Sequence, residues 1–234
     1  MLRDKPFVNG ETYHLFNRGA HKQAIFKSEK DYRRFLVLLY FSNTMERVQL
    51  GNLLQNQGRS LIDLLEEYVD QSLVDIFAYT LMPNHFHLVL RQKADNGIST
   101  FMKKLATAYS MYFNIKYKHS GVLFQGRFKS RHVGDEAYFR YIFAYVHLNP
   151  AELVVPEWKE RTPSYLERGK IKAYLSKYAY SSHFDYAIGD RAERKILAFN
   201  EAPEFLKTCD DVEILLQSFN EGPSLIDMGD KKSW

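Results

Sequence analysis

The chain has 234 residues, 45% hydrophobic and 26% charged, with 12 Gly and 7 Pro, a balance that excludes low-complexity, collagen-like and disordered classes. Cys209 is the single cysteine, so a disulfide framework is excluded, and Met1 to Gly10 mixes Arg3, Asp4 and Lys5 with a proline and does not read as a signal peptide. No stretch reaches the roughly 18 residues without charge that a bilayer span needs, so the expected location is the cytoplasm, with no membrane partner.

The net charge of +4 conceals an asymmetry. Asn200 to Trp234 holds eight acidic and three basic residues, whereas Lys103 to Arg140 holds eight Lys or Arg against Asp135 and Glu136. A basic stretch interleaved with aromatics suits an anionic polymer, although such stretches are also ordinary solvated faces.

Glu11 to Asn17 reads as a first strand with a tight exit at Arg18-Gly19. Ser28, three residues before Asp31, opens a helix whose stripe is Tyr32, Phe35, Leu36, Leu39 and Tyr40. Residues 42–69 look like an insertion, polar to Gly58 and then a short helix through Leu61, Leu64, Leu65 and Tyr68. Val74 to Met82 and Phe86 to Leu90 form two neighbouring strands joined at Pro83-Asn84. Gly97 to Lys118 is a second long helix with Phe101, Leu105, Ala108, Tyr112 and Ile115 on its apolar face, followed by a strand over Val122 to Val133 and a helix over Glu136 to Leu148, stopped before Pro150. The first six elements repeat a split βαβ unit, so the fold class is α+β: a ferredoxin-like four-stranded antiparallel sheet with helices, the Glu136 helix free to bring chemistry to the sheet. Tyr174 to Tyr186 and Arg191 to Phe199 are helical candidates, and Glu201 to Trp234 reads as an acidic helical cap or a loosely attached tail. This divides the chain into a unit over residues 7–155 and a helical extension over 156–234.

His85-Phe86-His87 begins a strand. Side chains two residues apart leave one face about 7 Å apart at the Cα atoms, close enough for two imidazoles to share a divalent ion, or they are simply histidines at a strand end. Tyr141, Tyr145 and Asn149 fall on one side of the third helix. A tyrosine beside an ion-bound phosphate can attack phosphorus, and an amide oxygen is a hard ligand suited to Mg²⁺ or Mn²⁺, but a helical tyrosine is more commonly packing. His147 projects away from Tyr145 and reads as a surface or phosphate-facing residue.

Met82-Pro83-Asn84-His85-Phe86-His87-Leu88 resembles the histidine-hydrophobic-histidine motif of single-tyrosine HUH transposases, the IS200-like family with its domesticated relatives associated with repetitive extragenic palindromes. Tyr145-Val146-His147-Leu148-Asn149-Pro150 is similar to that family's tyrosine helix. Tyr13-His14, Asn17-Arg18-Gly19, Ile25-Phe26, Phe124 to Lys129 and Tyr180-Ser181-Ser182 follow in the family's order over residues 7–190. The resemblance implies a metal-dependent single-stranded DNA endonuclease and strand transferase. In it His85, His87 and Asn149 hold Mg²⁺ or Mn²⁺, and Tyr145 forms a 5′-phosphotyrosine link, leaving a 3′-OH. Asn149 inclines the resemblance toward the palindrome-associated branch, whose DNA bears a hairpin; relatives act as monomers or as homodimers. Phosphate contacts fall to Lys103, Lys104, Lys116, Lys118, Arg127, Lys129 and Arg131, with Arg18 and Gln125 for bases or a hairpin foot. Six such contacts would give a log-log salt slope of about −4. Two alternatives stand beside this: a binding module of the same fold without cleavage, and a hydrolase of small phosphoesters.

Overall fold

The computed structural model describes residues 6–46, 50, 60–207 and 211–222. Strands β1 (Thr12–Arg18), β2 (Val74–Met82), β3 (His85–Gln92) and β4 (Lys129–Val133) form one sheet in the order β2-β3-β1-β4. Every neighbouring pair is antiparallel. With helices α1 (Glu29–Phe41) after β1 and α2 (Gly97–Tyr117) after β3, this is the ferredoxin-like arrangement expected from the repeated split unit. Two residues, Pro83 and Asn84, join β2 to β3 as the sequence suggests.

Alternation along the strands sends two sets of side chains to two different cores. Leu15, Leu81, Phe86, Leu88 and Leu90 pack with Phe35 and Leu39 of α1 and with Phe101, Leu105 and Tyr109 of α2. Val89 and Val133 face the other way, onto Ile142, Phe143 and Val146 of α3 (Glu136–Leu148). A register shift between Ile76 and Ala78 lets Phe77 and Ala78 join that second core while Ile76 and Tyr79 remain in the first. The sheet is thus covered on both faces, by α1 and α2 on one and by α3 on the other.

Local chemistry explains the helix ends. The Asp31 carboxylate accepts from the Lys27 and Ser28 backbone N–H groups at 2.8 and 2.9 Å, which caps α1. It also accepts from Lys116 Nζ at 2.6 Å and from the Tyr112 and Tyr117 hydroxyls, tying the end of α2 to the start of α1. Asp135 caps α3 through the Tyr138 N–H at 2.7 Å. Asn43, fully buried, gives and takes one hydrogen bond with the Val74 backbone and returns the chain to β2.

Three expectations change. The strand expected over Val122 to Val133 is formed only from Lys129. Gly126 stands at φ 79° in a turn, and the preceding residues cross the end of β1, where the Gln125 N–H donates to the Arg18 carbonyl at 2.8 Å. On α2 the buried face is Ile98, Phe101, Met102, Leu105, Tyr109 and Phe113; Ile115 is exposed, because the stripe drifts toward the i+4 row. In the insertion, Leu64 and Leu65 are buried in a 3-10 turn over Ile62–Glu66, Tyr68 is exposed, and residues 47–49 and 51–59 lie outside the described residues.

The described part of Glu201 to Trp234 is the helical cap of the two expected forms. The extension contains α4 (Tyr165–Leu175), the short α5 (His183–Ala187) and α6 (Glu204–Lys207), and α7 (Val212–Asn220). Leu215 and Leu216 of α7 join the α3 core, while Phe219 stacks on Tyr141 at 5.2 Å between ring centroids. Residues 223–234 lie outside the described residues. Among the described residues no helix is long and apolar enough to cross a membrane.

Candidate active site

β3 turns His85 and His87 to the face that α3 covers, and Tyr145 descends from α3 onto them. The Tyr145 ring lies edge-on to His87 at 5.3 Å and to His14 at 6.1 Å, and the His85 and His87 rings are 5.1 Å apart and perpendicular. Asn149, one turn beyond Tyr145 and fully buried, brings Oδ1 to 3.2 Å from His85 Nε2. Residues 60 positions apart in the chain therefore meet at one end of a cleft of about 510 Å³, which His85 and Tyr145 line together with Arg18, Gln125, Arg127 and Lys129.

The protonation pattern at His85 follows from its partners. Nδ1 is 2.7 Å from Asn84 Oδ1 and Nε2 is 3.2 Å from Asn149 Oδ1, both atoms that only accept, so a neutral ring can donate to one of them, and the shorter contact selects the tautomer protonated at Nδ1. Asn84 is held in this orientation by Nδ2, which donates to the Lys22 carbonyl. Nε2 is then a bare lone pair, and as oriented it faces a second acceptor, Asn149 Oδ1. Protonation does not relieve the opposition at neutral pH, because burial, helped by the Lys159 charge, pushes the imidazole down to about 4. Two acceptors at this separation match an edge of a hard octahedral cation, whose ligands at about 2.1 Å sit about 3.0 Å from each other.

His87 is fully buried, with Nδ1 2.9 Å from His14 Nε2. That contact engages Nδ1, and in the tautomer where His87 Nδ1 donates to His14 an outer partner orients the ring as one does for a metal-binding histidine. Burial holds His14 at about 3, with Arg131 adding to the effect, and burial together with His14 and His85 holds His87 well below the ordinary range. All three imidazoles are neutral at pH 7, the form a cation needs. The donor set thus fits a hard divalent ion. Among the described residues no group of three or more His, Cys, Asp or Glu side chains could hold one; two imidazoles and an amide oxygen are what this site could offer.

The model of the family described as "Transposase IS200 like" matches residues 12–149, from the first residue of β1 to Asn149 and more than half of the chain. The chain belongs to the IS200-like transposase family. No curated protein matches this transposase at a significant level. Among solved structures it is similar to a REP-associated tyrosine transposase bound to a REP hairpin, at 12% identity and a TM-score of 0.48, over 87% of this chain and 92% of that one.

The basic residues of the transposase divide by layer. Arg18 and Gln125 are hydrogen-bonded to each other through Nε and Oε1 and line the cleft with Arg127 and Lys129. Arg131 pairs across the strands with His14, on the site's face of the sheet. Lys103, Lys104, Lys116 and Lys118 belong to α2, which packs on the opposite face, and do not line the cleft. Lys104 Nζ donates to the Thr44 and Glu46 carbonyls and Lys116 Nζ to Ser28 and Asp31, so these two hold loops and caps together rather than facing a strand of DNA. His147 is also not a surface residue. It is fully buried, its Nε2 2.7 Å from Ser182 Oγ, and it anchors the extension to α3.

Three residues escaped the sequence reading. His14 stood in a strand signature without a role, and only the pairing of β1 with β3 brings it to His87. Lys159 and Glu152 carry no motif; both line the cleft, ion-paired at 2.7 Å. Their place follows from the 3-10 turn at Asn149–Leu153, which reverses the chain beside Tyr145.

Proposed function

We propose that the protein is a metal-dependent single-stranded DNA endonuclease and strand transferase that works through a 5′-phosphotyrosine intermediate. The observation that carries this reading is the convergence of the Tyr145 ring, two neutral imidazoles and Asn149 Oδ1 at one end of a cleft lined by cations. His85, His87 and Asn149 would hold Mg²⁺ or Mn²⁺, with Asn84 and His14 orienting the imidazoles. When bound, the ion supplies positive charge to a nonbridging oxygen of the scissile phosphate. Arg18, Arg127 and Lys129 neutralise the backbone phosphates and align the strand. Tyr145 Oη attacks phosphorus, its proton passing to solvent, and the P–O3′ bond breaks; the departing oxygen takes a proton and becomes a 3′-OH. Reversal by another 3′-OH rejoins strands.

The substrate we infer is a single strand bearing a hairpin, with Gln125 at the hairpin foot or flanking bases. A single chain brings the tyrosine beside both histidines, which supports cleavage by a monomer.

Incubation with a hairpin-bearing oligonucleotide and Mn²⁺ should yield a denaturant-resistant adduct whose intact mass equals protein plus the 3′ fragment of the DNA. The adduct should vanish in Tyr145→Phe and with chelator. Tight DNA binding with no adduct under either metal would instead favour a silent binding module, and faster cleavage of mononucleotides than of oligonucleotides would favour a small-phosphoester hydrolase.

A further inference from the structure

Lys159 brings a cation to Tyr145 from outside the sheet and outside α3. Its Nζ lies 5.1 Å from the centroid of the Tyr145 ring and 5.6 Å from that of Trp158, and its stem is largely enclosed. The only anionic partner that the described residues give it is Glu152, at 2.7 Å, whose own side chain is 43% exposed at the rim of the cleft. An enclosed ammonium is held in place, and a half-exposed carboxylate on a flexible stem is free to swing away. Resting on the strand-cleavage reading above, we propose that Lys159 is a catalytic residue. It contacts the scissile phosphate beside Tyr145, and Glu152 occupies the position of that phosphate until DNA arrives.

The chemistry requires such a group. In the attack of Tyr145 Oη on phosphorus, negative charge accumulates on the nonbridging oxygens while the Oη–P bond forms and the P–O3′ bond breaks. A cation held by His85, His87 and Asn149 would supply positive charge to one of these oxygens, which leaves the other to a cationic side chain. Lys159 does so with little reorganisation, since Trp158 and Tyr145 flank its stem and exclude water from it. Glu152 keeps the ammonium compensated in the free protein. Incoming phosphate exchanges one anion for another, so the charge need not be desolvated anew.

The test is single-turnover adduct formation with a hairpin-bearing single strand and Mn²⁺, alongside the affinity for the same strand measured in a Tyr145→Phe background. Lys159→Met keeps the length and removes the charge. It should slow adduct formation about 100-fold, and Lys159→Arg should restore most of the rate. A methylphosphonate at the scissile position, which lacks the second anionic oxygen, should shrink the difference between wild type and Lys159→Met to less than about threefold. Glu152→Gln should tighten binding several-fold, an outcome that damage to the fold does not produce. Equal rates for wild type and Lys159→Met on the phosphodiester, or a slow Lys159→Arg with intact circular dichroism, would overturn the role of Lys159 and leave the cleavage reading standing. Absence of adduct from the wild type would overturn both.

Discussion

Replacing His14 with alanine removes a ring that is 2% exposed and that, on the present reading, touches neither metal nor DNA. Its Nε2 sits 2.9 Å from His87 Nδ1, so the substitution strips a buried nitrogen of its partner. A buried polar group left unsatisfied costs about 1–3 kcal/mol. In a protein of this size each kcal/mol lowers the melting midpoint by roughly 2–4 °C, so the midpoint of that cost predicts a fall of about 4–8 °C. The functional effect should be larger than stability alone explains. His87 would be released to turn or to change tautomer, and loss of such an outer partner typically weakens metal affinity about 10–100-fold. Isothermal titration of metal-free protein with Mn²⁺, at a temperature where calorimetry finds both variants folded, measures this directly, and His14→Gln, which can still reach Nδ1, should recover part of the loss. Should His14→Ala bind Mn²⁺ within twofold of wild type while melting lower as expected, His14 is packing and the orienting argument is wrong.

Further outcomes follow from the same geometry. Binding to single-stranded DNA should show a log-log salt slope of about −3, from the four phosphate-facing cations Arg18, Lys22, Arg127 and Lys129 at the cleft, rather than the −4 of six contacts; Lys129→Ala should lower the slope by about 0.7, and Lys103→Ala should leave it unchanged. Metal-free protein should lose stability as pH falls from the ordinary histidine value of about 6.5 toward 4, because His14 and His85 hold folded values of about 3 and about 4 and the unfolded chain takes up protons that the native state refuses; urea midpoints that stay flat over that interval would contradict it. Asp31→Ala should cost about 3 kcal/mol in chemical denaturation, since it uncaps α1 and strands Lys116 at once. Gly222→Ala, whose new Cβ would stand 2.0 Å from the Tyr141 ring, should destabilise the protein by about 1–3 kcal/mol and raise hydrogen exchange in α7.

Much of the fold could be read from residue patterns because its information is local. The Pro83-Asn84 turn, the Ser28 to Asp31 cap and the stop before Pro150 each depend on neighbours a few positions apart, and all three boundaries appear where the spacing puts them. The strand over Val122 to Val133 misled because an apolar run with Val122, Leu123 and Phe124 resembles one, whereas Gly126 at positive φ and the crossing over β1 are settled by tertiary contact. At the site, residues 85, 87, 145 and 149 were legible as two short motifs. The layer of the α2 lysines could not be read, because a charge count carries no information about layers: Lys116 lies near Asp31 in space and 85 positions from it in sequence. His14 and Lys159 were illegible for the complementary reason, each taking its role from a residue that only folding brings near.

The packing of α7 against α3 bears on what happens after a cut. Tyr145 has the sheet histidines on one flank and Phe219 stacked at 6.3 Å on the other, so its helix is wedged between two hydrophobic bodies. On the proposed strand-cleavage mechanism, a DNA end attached to such an anchor stays in the cleft in which it was severed. Joining then becomes a matter of delivery: the acceptor strand must travel to the anchored end, and the choice of product rests with whatever brings the second strand in.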